Sequence, residues 1–100
     1  MNKNPLDVIM ENDHELFTHI SADKNTAFKA GALSVKTKLL IGLALDAAKG
    51  SVEGVKSLAI QAVDAGATKE EIFDTLRVVY YIYGVGSMYT AAKALEDVIE

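Results

Sequence analysis

Apolar residues recur every three or four positions along this chain, and the residues between the apolar runs read as helix starts and stops. Asn4 before Pro5, with Asp7 two positions later, marks a first helix start, and that helix is expected to run through Leu6, Ile9, Met10, Leu16 and Phe17. A short helix around 22–30 follows, stopped by Gly31. Ser34 opens the next helix, and Gly50 stands where a left-handed cap belongs. Ser51 caps a helix ending at 65–66, and Thr68 with Glu71 fits a reciprocal capping box directly before an apolar run. Gly84 and Gly86 interrupt that run, and 87–99 reads as the last helix. The stretch "VVYYIY", 78–83, has strand-like composition. The capping box and the helical spacing of Ile72, Leu76, Val79 and Tyr83 assign it to a helix instead, and no comparable strand exists to pair with it. The predicted class is all-α, with about five to six helices.

The segment 34–49 carries the strongest pattern. At about 100° per residue, Lys38, Gly42, Asp46 and Lys49 share one narrow stripe, and every other position from Leu39 to Ala48 is apolar. The apolar arc is roughly 240° wide, against the ~100° of an ordinary surface helix. Such a helix is central, or buries a second face on another subunit. In a chain of 100 residues few elements are available to cover it, so a homo-oligomer is expected. One domain spans 1–100, with a helical arm at 1–30, able to pack on a neighbour, and core hairpins over 31–100.

Composition narrows the chemistry. The chain has no cysteine, which removes disulfides, thiolate metal sites and cysteine nucleophiles together. A net charge of −4 with no Lys/Arg run argues against a nucleic-acid partner. No apolar run is long enough to span a bilayer, and the early acidic residues are unlike a secretory signal, so a cytoplasmic location is expected. His14 and His19 lie five apart and do not share a helix face, and "NDHE" at 12–15 points its carboxylates in successive directions. Neither suggests a metal site or paired acid/base work; a solvated face is the simpler reading, and no cofactor is expected. Gly84-Val85-Gly86 lacks the strand and lysine of a phosphate loop and reads as backbone relief where helices approach closely. Ser51 has no histidine or lysine at helical spacing to serve as its base, so it reads as a cap. Tyr80, Tyr81, Tyr83, Met88 and Tyr89 form the one aromatic concentration, suited to core and interface packing or to an apolar ligand pocket.

The ordered set "AGALSVKTKLLIGLALDAAKG", "AVDAGATKEEIFDTLRVVYYIYG" and "YTAAKALEDVIE" resembles the carboxymuconolactone decarboxylase family, including its alkylhydroperoxidase-D-like (AhpD-like) members, over roughly 30–99. The resemblance implies a helical fold built on paired helices, assembled as trimers or hexamers. In the redox branch it implies a C-x-x-C pair at a helix start, a histidine one turn after the second cysteine, and an upstream glutamate. The decarboxylase branch keeps that histidine and uses it on a lactone acid. Counted from Gly66, these positions fall on Ser51 and Gly54 for the cysteines, Leu58 for the histidine and Leu39 for the glutamate. None of the four has the side chain its role needs, so no catalytic residue is carried over. The expectation is a non-redox, oligomeric binding or regulatory protein. Its candidate pocket comprises Leu39, Gly54, Leu58, Tyr80, Tyr83, Met88 and Tyr89, for a small apolar or acidic ligand. The alternative is an enzyme of relocated chemistry acting on a small acid or lactone, with Tyr80, Tyr83 or Tyr89 working beside Glu53 or Asp46.

Overall fold

A computed structural model describes residues 5–99. Six helices follow one another without a strand among the described residues: α1 (Asp7–Asn12), α2 (His14–Phe28), α3 (Val35–Lys49), α4 (Val52–Asp64), α5 (Lys69–Tyr83) and α6 (Gly86–Leu95). The capping residues explain most of the boundaries. Ser34 Oγ accepts from the Thr37 amide at 3.1 Å, Gly50 closes α3 with φ 89°, and Ser51 Oγ accepts from the Gly54 amide at 3.1 Å. Thr68 and Glu71 make the full reciprocal box, the Thr68 amide donating to Glu71 Oε1 at 2.8 Å and the Glu71 amide to Thr68 Oγ1 at 3.0 Å. The tyrosine-rich 78–83 stretch completes α5 as helix.

The boundaries at Asp13 and at the end of α6 differ from the sequence expectation. The first helix does not run through Leu16, because Asp13 leaves the helical region at φ −148° and its carboxylate accepts from the Leu16 amide at 3.0 Å. Asp13 is therefore the cap of a second helix, continuous to Phe28. The expected cap at Asn4 lies outside the described residues; the residue flanking α1 is Leu6, which makes no side-chain cap. The glycines at 84 and 86 do not relieve a close approach of helices, since a Cβ at either would meet nothing within 4 Å. Gly84 is needed for its backbone instead, at φ 121°, and α6 ends at Leu95 with turns after it.

Helix α3 is central, packing on α2, α4, α5 and α6. Its own Leu43, Val55 of α4 and Ile72 of α5 are the largest fully enclosed side chains, and the alanines 47, 59, 91 and 94 let the crossing helices come close. A second cluster gathers Leu39, Ala62 and Ala67, with Phe28, Leu40 and Leu58 packed against them. The polar stripe of α3 does not simply face water. Gly42 admits Phe28 and Leu58, Lys38 Nζ donates to the Lys29 carbonyl at 2.8 Å, and the Asp46 carboxylate lies against Gly54. The apolar surplus emerges beside that stripe, away from the buried Leu39, Leu43 and Ala47, where Ile41 and Leu45 remain exposed, Leu45 by 66%. No residue of α1 or α2 is fully buried, and Phe28 is the one that packs against the second cluster. Among the described residues, no helix is long and apolar enough to cross a membrane.

One ion pair fastens the amino ends of α3 and α5, Lys36 Nζ to Glu71 Oε2 at 2.9 Å. The Thr68 amide and the Lys36 ammonium hold the Glu71 carboxyl below the ordinary carboxylate range. A depressed folded-state pKa means the contribution is full above the unfolded value and is lost as pH falls through the folded one. Glu71→Gln is therefore expected to lower the melting temperature at pH 7, with the gap to the parent narrowing below about pH 4. Thermal melts of both proteins across that range check it.

Candidate functional site

The turn from α3 to α4 is only Gly50 and Ser51, so the last turn of one helix lies beside the first turn of the next. The Asp46 carbonyl accepts from the amides of Gly50, at 3.0 Å, and Ser51, at 2.9 Å. This closure sets the Asp46 side chain over the amino end of α4. A carboxylate is unfavourable at the negative end of its own helix, and the positive end of α4 offsets that. Lys49 Nζ stands 3.8 Å from Asp46 Oδ1, and the Asp46 side chain is 24% exposed. Gly54 is where the two helices leave no room. A Cβ there would stand 2.6 Å from Asp46 Cγ and 2.7 Å from Ser51 Oγ, and would overlap Asp46 Oδ2.

The other two positions drawn from the resemblance are apolar packing. Leu39 is 4% exposed, and Leu58 packs against its cluster together with Phe28. The remaining candidates are on the α5–α6 side. Tyr80 and Met88 line an open groove of about 790 Å³, together with Phe73, Leu76, Ala91, Leu95 and Ile99, with Arg77 and Glu96 also on its wall. Leu39, Gly54 and Leu58 do not line this groove, and neither do Tyr83 and Tyr89, both of which are largely exposed. The structure thus brings together Tyr80 with Met88, and Leu39 with Leu58, as two separate groups. Among the described residues, no hydrogen bond joins Tyr80, Tyr83 or Tyr89 to Asp46 or Glu53, and no group of three or more His, Asp or Glu side chains is placed to hold a metal ion. His14 and His19 are exposed, His14 stacking on Phe17 with ring centroids 6.3 Å apart.

Sequence reasoning missed Phe73 and Arg77 as groove residues and Asp46 as the cover of Gly54. A signal for the last was present. A glycine three residues into a helix costs about 1 kcal/mol against alanine, and such a cost often marks a close approach.

Residues 15–97 match the carboxymuconolactone decarboxylase family. The chain belongs to that family. An apo crystal structure of lpg0406, a carboxymuconolactone decarboxylase family protein from Legionella pneumophila, superposes with a TM-score of 0.86 at 37% identity, covering 91% of this chain and 81% of that one. Two uncharacterised proteins of Methanocaldococcus jannaschii are also similar. MJ1511 is 29% identical over 93% of this chain and 87% of its own length. MJ0742 is 32% identical over 89% of this chain and 86% of its own. The all-helical fold is therefore that of an alkylhydroperoxidase-D-like carboxymuconolactone decarboxylase family member.

Proposed function

We propose that this carboxymuconolactone decarboxylase family member has lost the redox centre and works in the cytoplasm as a homo-oligomeric binding protein, a trimer or hexamer, for a small apolar or acidic ligand. One observation carries the reading. The chain has no cysteine, and the four positions that the family chemistry would use hold a helix cap, a glycine covered by a carboxylate, and two leucines of an apolar cluster. A thiolate relay needs a nucleophile at a helix start and a group to move its proton, and those places supply neither. What the chain offers a small molecule is the apolar α5–α6 groove. The assembly part of the reading is supported by apolar surface that one copy leaves in water: Ile41 and Leu45 on α3, Val78, Tyr81 and Ile82 on the flank of α5, and Val8, Met10 and Leu16 on the α1–α2 arm.

Two measurements test it. The purified protein, given hydroperoxide and a dithiol reductant, is expected to show no turnover above the buffer; robust turnover would sink the proposal. Light scattering is expected to return the mass of a trimer or hexamer, and a monomer at micromolar concentration would remove the assembly part.

A further inference from the structure

The α5–α6 groove has a chemical asymmetry that narrows what it takes. Its walls are Phe73, Leu76, Tyr80, Met88, Ala91 and Leu95, all carbon-rich surfaces. Its volume, about 790 Å³, falls inside the ~300–1,000 Å³ of small-molecule sites. Two charges share the wall, Arg77 and Glu96. They are not equivalent. The Glu96 carboxylate is already engaged by Lys93 Nζ at 2.9 Å, whereas the Arg77 guanidinium has no ion pair among the described residues. Arg77 is one helical turn from both Phe73 and Tyr80, so the three share one face of α5 and its charge lies on the same wall as the two rings. From Phe73 to Tyr80 the wall runs two turns of helix, roughly 10 Å, the length of a medium alkyl chain. Met88 beside two aromatic rings suits a flexible apolar guest, since a thioether repacks at little cost.

We propose that the groove binds a medium-chain alkyl carboxylate, its tail along Phe73, Leu76 and Met88 and its head paired with Arg77. A guanidinium matches a carboxylate in a two-point fork, which an alcohol of the same length cannot exploit. This inference rests on the reading of the chain as a binding protein, and the test separates the two. Octanoate, octanol and octylamine are titrated into the full-length protein in its native assembly, read by calorimetry and by tyrosine emission, which Tyr80 in the groove can report.

Octanoate is expected to bind roughly tenfold more tightly than octanol, and octylamine most weakly. Arg77→Gln is expected to remove that advantage while leaving octanol unchanged. Ala92 also lines the groove, from an exposed position on α6, and Ala92→Trp, which fills it, is expected to abolish binding of all three probes. Equal binding of octanoate and octanol by the parent would overturn the carboxylate assignment and leave the binding role standing. Binding of octanoate undiminished in Ala92→Trp would put the site elsewhere and overturn it too. No binding of any probe, with a fall in assembly mass in Ala92→Trp, would show a second copy of the chain in the groove and overturn both the inference and the groove's ligand role.

Discussion

A chain carrying Ser51→Cys and Gly54→Cys is expected to form the 51–54 disulfide poorly, and the same chain with Asp46→Ala added is expected to form it readily. Three residues of separation at a helix start is a workable spacing for the bond, so register is not the obstacle. Space and charge are. The side chain introduced at 54 must displace the Asp46 carboxylate, which now lies where its Cβ would go. If the carboxylate swings only part of the way, it remains beside two thiols and raises their pKa, against the lowering that the start of α4 would give. Removing it reverses both effects, and alkylation below the thiol pKa is expected to quicken roughly threefold for each unit of pKa recovered, the tenfold gain in thiolate being partly offset by its lower nucleophilicity. A simpler cycle isolates the steric part. Gly54→Ala should gain part of the ~1 kcal/mol of helix propensity in the Asp46→Ala background, where only Ser51 Oγ still crowds the new Cβ, and less or nothing in the parent. Equal gains in both backgrounds, or equal disulfide yields with and without Asp46, would show that the carboxylate does not close the site.

How much of this was readable beforehand depends on the range of each interaction. Ser34, Gly50, Ser51 and the Thr68–Glu71 box act on backbone three residues away, and each does in the fold what its local spelling suggests. Asp13 is equally local, yet it was hidden in an acidic cluster whose members all look like solvated surface. The orientation of α3 was harder. Its wide apolar arc was visible, but a helical wheel cannot say which part of an arc of roughly 240° ends up inside when the whole arc is apolar. The structure resolves it through short side chains. Gly42 and Asp46 look like the polar stripe, and because one is small and the other reaches only to Gly54, that stripe is where α2 and α4 come in. The groove depended on long-range geometry altogether. Phe73 and Arg77 meet Met88 and Leu95 only because Gly84 turns α6 back along α5. Tyr80 and Met88 were legible as candidates from composition, whereas their neighbours were not. The meaning of Leu39 and Leu58 came from family resemblance; nothing in their own surroundings in the sequence distinguishes them from other core leucines.

Leu39→Glu should be the most damaging single change at the positions where the family chemistry would sit, at about 3–5 kcal/mol near neutral pH. The site is 4% exposed, and its companions Ala62, Ala67, Phe28 and Leu58 offer a carboxylate no donor. That cost is a large share of the ~5–15 kcal/mol holding a domain of this size together. It also fixes the sign of the pH dependence. Burial raises the pKa of the new carboxyl above its unfolded value of about 4.3. The folded state then holds the proton more tightly than the unfolded state, so the deficit is smallest below that value and grows as pH rises through the raised one. Urea unfolding at pH 4 and pH 7 is expected to show the variant losing ground between the two, while Leu39→Met loses less than about 1.5 kcal/mol at both. Adding Leu58→His supplies a proton-accepting partner within the same cluster, and should recover part of the loss at neutral pH if the two positions face each other. A Leu39→Glu protein as stable as its parent at pH 7 would mean that water reaches position 39, and that the cluster is an open pocket rather than core.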